Sequence, residues 1–148
     1  MEIAGKVLYH HVCDMRKILD KNATVGEKIQ HYRRRRYLNS YFLAEMVGVS
    51  RHAIMDYENG VSEPSLEVLN KIAEVLEIEA DKLYDNYYRF LKYPFYVKVR
   101  EMREEHGLFQ RELGELLGVG RRAVERWESG QNRVTREMWE RFKSLGLL

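Results

Sequence analysis

Residues 43–60 read LAEMVGVSRHAIMDYENG, and residues 113–130 read LGELLGVGRRAVERWESG. In the first stretch Leu43, Met46 and Val47 recur at the spacing of one helix face. Gly48 then ends the segment, because glycine takes the left-handed backbone of a helix stop without steric cost. Ser50, two residues on, is a hydroxyl placed to accept the first amide hydrogens of a new helix. That helix carries Ala53, Ile54 and Tyr57 on its inner side and stops at Gly60. The second stretch repeats the pattern with Leu113, Leu116 and Leu117, then Gly118, then Ala123, Val124 and Trp127. Two short helices joined by a glycine-bearing turn are therefore predicted twice.

The likeness extends outward from these stretches. Residues 29–60 and 99–130 align without a gap at an offset of 70, with 10 identities in 32 positions. The identities include Arg33 with Arg103 and Glu58 with Glu128, both pairs separated by 25 residues. An offset this long exceeds the period of stacked repeats, so it implies a duplicated domain.

Both segments resemble the lambda-repressor-like (Cro/XRE) helix-turn-helix domain. In the first copy the likeness continues through Pro64 and SLEVLNKIAEVLEIEADKL, which is similar to the fourth and fifth helices of that family. The resemblance spans residues 25–84 and 95–145. The second tail, RVTREMWERFKSLGLL, is shorter and lacks the proline and the fifth helix, so a smaller core is expected there. The resemblance implies an all-α fold of two tandem helix-turn-helix domains, preceded by an extra N-terminal helix. The expected domains are 1–24 for that helix, 25–92 for the first unit and 93–148 for the shortened second.

A domain of this kind sets the N-terminal end of its second motif helix against base edges in the major groove of double-stranded DNA. The outward positions of that helix are Ser50, Arg51, His52, Met55 and Asp56 in copy one. In copy two they are Gly120, Arg121, Arg122, Glu125 and Arg126. Arg51, Arg121 and Arg122 are the foremost base contacts, since guanidinium forks match guanine O6 and N7, while Arg126 equally suits a phosphate. The family often places glutamine at the start of the first motif helix, on the sugar-phosphate backbone. Gln110 matches, with Arg111 beside it; copy one has Ser40 there and Asn39 as its cap. Asn59 and Gln131, just past the second helix, are further phosphate contacts through neutral hydrogen bonds. Arg33 with Glu58 and Arg103 with Glu128 match a structural ion pair of the family. Arg34, Arg35 and Arg36 suit DNA backbone, an acidic partner or plain solvation.

Charge is shared unevenly: residues 1–24 sum to +1, residues 25–92 to −1 and residues 93–148 to +2, for a net +2. Within 25–92 the run Arg33–Arg36 is basic, whereas Glu63, Glu67, Glu74, Glu77, Glu79, Asp81 and Asp85 fall later. One face can therefore meet phosphate while the other repels it. One cysteine forms no internal disulfide and no thiolate zinc cluster. His10-His11-Val12-Cys13-Asp14 has ligand types without a second cluster, so no metal and no cofactor are expected. No apolar run reaches the ~18 residues of a membrane span, and no apolar leader opens the chain. No phosphate loop, nucleophile elbow or zinc-protease motif nominates an active site, and an enzyme is not expected.

Two stretches lie outside the duplicated pattern. Residues 5–20 are predicted as a helix with Val7, Leu8, Val12, Met15 and Leu19 in one stripe, capping domain one or meeting a partner. Residues 84–96 hold seven aromatics in 13 positions, read as a packed seam between domains or as a homodimer surface. The N-terminal helix is the other surface expected to hold a second copy. The function expected is a sequence-specific, double-stranded DNA-binding transcriptional regulator of prokaryotic or phage type, cytoplasmic and nucleoid-associated, with two non-equivalent readers. The alternative is a protein-interaction or antitoxin-like module in which one unit binds DNA and the other holds a partner or a second copy.

Overall fold

The computed structural model describes residues 19–148, and among them every regular element is helical. The helix expected over residues 5–20 and the His10–Asp14 cluster lie, up to Ile18, outside the described residues. The chain divides into two compact units, Met1–Asp85 and Asn86–Leu148. The division falls before the expected boundary at 92, and the reason lies in the helix that follows Asp85.

Unit one contains α1 (Val25–Arg35), α2 (Ser40–Val47), α3 (Arg51–Asn59) and α4 (Leu66–Val75), then a 3₁₀ turn at Ala80–Lys82. Each α-helix begins on a side-chain cap of the kind that satisfies its orphan amides. Thr24 and Glu27 bond reciprocally at α1, Asn39 accepts from the Phe42 amide at α2, Ser50 from Ala53 at α3, and Ser65 from Val68 at α4. Ile29, Leu43, Ile54, Leu69, Ile72 and Leu83 are fully buried and form the core these helices enclose. At Gly26 a Cβ would lie 2.1 Å from the Tyr57 carbonyl oxygen, so only glycine lets α1 approach the end of α3 this closely.

Unit two contains α5 (Asn86–Lys92), α6 (Phe95–Glu105), α7 (Gln110–Leu117), α8 (Arg121–Glu128) and α9 (Arg136–Ser144). The helices α6 to α9 start where α1 to α4 do, displaced by the same 70 residues. Val134, wholly buried, stands where unit one has Pro64, and Thr135 caps α9 as Ser65 caps α4. Helix α5 belongs to this unit because the buried Tyr87 hydroxyl donates to the Val134 carbonyl at 2.9 Å and its ring meets Trp139, centroids 5.8 Å apart. Aromatic volume fills a core expected to be small: Trp127 and Phe142 pack edge to face at 5.9 Å. Of the aromatic run 84–96, Tyr87, Tyr88 and Phe95 are buried in this unit and Tyr84 in unit one, while Tyr93 and Tyr96 are exposed.

Candidate nucleic-acid interface

The two motif turns are built alike. Gly48 (φ 83°) ends α2 and Gly118 (φ 70°) ends α7, both left-handed as a helix stop requires. The amides of Val49 and Val119 then return to the carbonyls of Ala44 and Gly114 at 3.0 and 2.8 Å. Each turn thus aims the first residues of the next helix away from the core. Ile54 and Val124 are buried on the inner side of α3 and α8, while Ala53, Tyr57 and Ala123 are half-buried and Trp127 is buried.

The outer side carries the chemistry. Arg51, His52, Ser50, Met55 and Asn59 are exposed on α3 or at its cap, and Asp56 is half-buried. Gly120, Arg121, Arg122, Glu125 and Arg126 are all exposed on α8 or at its cap, and Gln131 is exposed beyond it. Arg121 lies 3.4 Å from Glu125 and Arg111 lies 3.1 Å from Glu115, both as i,i+4 surface pairs. Pairs of this exposure contribute only about 0.3–0.5 kcal/mol, so a phosphate or a guanine edge can replace them. Gly120 caps α8 without a side chain, leaving early amides of that helix open to an anion.

Behind each reading helix sits a buried carboxylate. Arg33 Nε and Nη2 meet Glu58 at 2.5 and 2.8 Å, and Arg103 Nε and Nη2 meet Glu128 at 2.5 and 3.1 Å. These side chains are 12% and 5% exposed in unit one, and 13% and 3% in unit two. Each arginine also donates through Nη1 to the carbonyl of Leu38 or Leu108 at 2.8 Å, tying the first helix, the loop and the reading helix together. Burial pushes the Glu128 carboxyl up, but hydrogen bonds from Arg103 and Gln110 and the charges of Arg103 and Arg100 outweigh it, so it titrates below the ordinary range. The Arg103 guanidinium is correspondingly raised, chiefly by its hydrogen bond to Glu128 against the cost of burial.

Gln110 is half-buried, and its Nε2 donates to Glu128 at 3.0 Å, so that amide serves the ion pair rather than pointing freely outward. In unit one the equivalent bond comes from α1, where Gln30 Nε2 reaches Glu58 at 3.4 Å. Asn39 and Ser50 likewise spend their side-chain oxygens as caps, and Ser40 is half-buried. Sequence reading missed Gln30 and Arg100 as partners of the glutamates; their shared position at the 70-residue offset was the available signal. It also missed that α2 exposes Tyr41 and Phe42 where α7 carries Arg111 and Glu112, while Met46 and Leu116 are exposed at matching positions of both helices. Among the described residues no three of His, Cys, Asp and Glu converge on a point, and no helix is long and apolar enough to cross a membrane.

A helix-turn-helix family model matches residues 29–83 and 99–142, which covers both motif turns and both ion pairs. The chain belongs to the helix-turn-helix family, with two domains of the Cro/XRE type. As a helix-turn-helix protein of that type it is a DNA-binding regulator of transcription. Among solved structures, the helix-turn-helix chain is similar to the P22 c2 repressor protein in complex with synthetic operator 9T in the presence of Tl+. The identity is 31% over 43% of this chain and 97% of the repressor chain, with a TM-score of 0.42. No curated protein matches the sequence.

Proposed function

We propose that this chain reads double-stranded DNA sequence-specifically through two unlike units, α3 of unit one and α8 of unit two. The observation that carries the reading is the pair of exposed helix starts, Arg51-His52 and Arg121-Arg122, each displayed by the same glycine turn and braced by the same buried ion pair. Arg51, Arg121 and Arg122 contact base edges; Arg111, Arg126, Asn59 and Gln131 hold backbone. The half-sites differ because His52 stands against Arg122 and Asp56 against Arg126 at matching positions. Such a regulator works in the cytoplasm with nucleoid DNA. Arg121→Ala together with Arg122→Ala is expected to weaken specific binding by tenfold or more, at about 1–3 kcal/mol per lost guanine contact, and to flatten its salt dependence. A double variant that footprints like the parent would remove unit two from the reading.

In a second reading one unit holds a protein partner or a second copy. The observation in its favour is the exposed apolar side of α2, Tyr41, Phe42 and Met46. In that case only one unit's arginines would affect DNA binding.

A further inference from the structure

We propose that unit one carries a second site, a cleft at the end of α1 that takes a small anion borne on a flat apolar body. The cleft measures about 470 Å³ and is lined by Tyr32, Arg35, Arg36, Leu76, Ile78 and Lys82. That volume lies within the range of small-molecule sites. Its lining divides into an apolar part, the half-buried Ile78 and the Tyr32 ring above the fully buried Leu76, and a cationic part. Arg36 is already engaged: its Nε donates to the Leu76 carbonyl at 2.9 Å and its Nη2 lies 2.5 Å from Glu77. Arg35 and Lys82 are exposed and hold no partner among the described residues. The acidic residues of the same turn, Glu79 and Asp81, do not line the cleft.

Two unpaired cations beside an apolar wall select a combined ligand. A phosphate or carboxylate group would take charge-assisted bonds from the Arg35 fork and the Lys82 ammonium. A ring attached to it would cover Ile78 and Tyr32. A bare anion leaves the apolar wall wet, and an uncharged ring leaves both cations unanswered.

Tyr37 (φ 56°) and Glu77 (φ 53°) are the left-handed stops of α1 and α4, where the Leu38 and Ile78 amides return to the Arg33 and Ala73 carbonyls, as Gly107 and Gly146 stop α6 and α9. Unit two lacks the site: at the same offset Met102 replaces Tyr32, Glu105 replaces Arg35 and His106 replaces Arg36. The cleft therefore distinguishes unit one and goes beyond the DNA reading. Its wall leads straight into the loop ending at the Asn39 cap.

The test is a titration of the full chain, followed by amide NMR, with phenyl phosphate, inorganic phosphate and phenol in parallel. Phenyl phosphate is expected to give saturable shifts at Arg35, Ile78 and Lys82, with inorganic phosphate at least about tenfold weaker and phenol silent. Arg35→Ala with Lys82→Ala changes two exposed side chains and is expected to weaken phenyl phosphate at least about tenfold, with the remaining amide spectrum preserved. Arg121→Ala with Arg122→Ala should bind it like the parent. Linear, unsaturating shifts, equal response to inorganic phosphate, or loss in the α8 variant would each overturn the proposal. So would a cleft variant that loses about two counterions from the salt slope of duplex binding while phenyl phosphate moves nothing; Arg35 and Lys82 would then be DNA-backbone contacts.

Discussion

Glu58 and Glu128 occupy one place in two copies of the same unit, yet they are held differently. Glu58 faces Arg33, with Gln30 at 3.4 Å. Glu128 faces Arg103, has Gln110 at 3.0 Å, and has Arg100 with Nε at 3.7 Å and Nη2 on its own carbonyl at 3.2 Å. Unit two therefore surrounds its carboxylate with redundant donors, while unit one rests on a single arginine. The difference teaches that duplication preserved the ion pair and let its surroundings drift. One exchange, Gln30 in unit one for Arg100 in unit two, added a cation; another, Ser40 for Gln110, added an amide.

The largest effect should come from removing the arginines. Arg33→Ala leaves Glu58 buried with one long amide bond, and a cost of about 3–5 kcal/mol is expected. Arg103→Ala should cost less, because Arg100 and Gln110 remain on Glu128. Both tryptophans, Trp127 and Trp139, lie in unit two, so their fluorescence follows that unit while far-UV dichroism follows the whole chain. Denaturant melts read by both probes check the ranking; equal losses, or none, would refute the redundancy.

A middle-sized effect should separate two glycines. Gly26→Ala places a methyl 2.1 Å from the Tyr57 carbonyl oxygen and 2.9 Å from that of Glu58. Backbone cannot retreat from this cheaply, and about 1–3 kcal/mol of destabilisation is expected. Gly114→Ala meets the Val119 carbonyl oxygen at 2.8 Å and the Gly120 carbonyl carbon at 3.3 Å, and unit one already carries Ala44 at that position. It should therefore cost less than Gly26→Ala by thermal melt; the reverse order would show that the α1–α3 approach is looser than its geometry.

The smallest effect is one of pH. Glu128 titrates lower in the folded unit than its ordinary value of 4.5, so it contributes stability above that value. That contribution is lost as pH falls from 4.5 through the folded value. Arg103, raised above its already high ordinary value, contributes throughout the acid and neutral range and adds nothing to the acid limb. Tryptophan-detected stability should thus fall on acidification below pH 4.5, and Glu128→Gln should flatten that limb. An identical limb in the Glu128→Gln variant would assign the acid response to other carboxyls.

Much of this was legible in the chain because the deciding signals are local. Gly48 and Gly118 announce their left-handed turns, Asn39 and Ser50 their caps, and the doubled 25-residue spacing its ion pairs. What was not legible depends on contacts between distant positions. Nothing near Tyr87 says that it bonds Val134, which places helix α5 with the second compact unit rather than before residue 92. Nothing near Gln110 says that its amide is drawn to Glu128, 18 residues away. The apolar outer side of α2 was hidden because Met46 shares a helical period with the buried Leu43 and Val47.

Selection of bound sites from a random duplex library by the whole chain tests the central claim most directly. Two half-sites of different sequence are predicted, with guanines opposite Arg51 in one and opposite Arg121 and Arg122 in the other. A single half-site, a perfect palindrome, or no enrichment over bulk duplex would contradict two unlike readers on one chain.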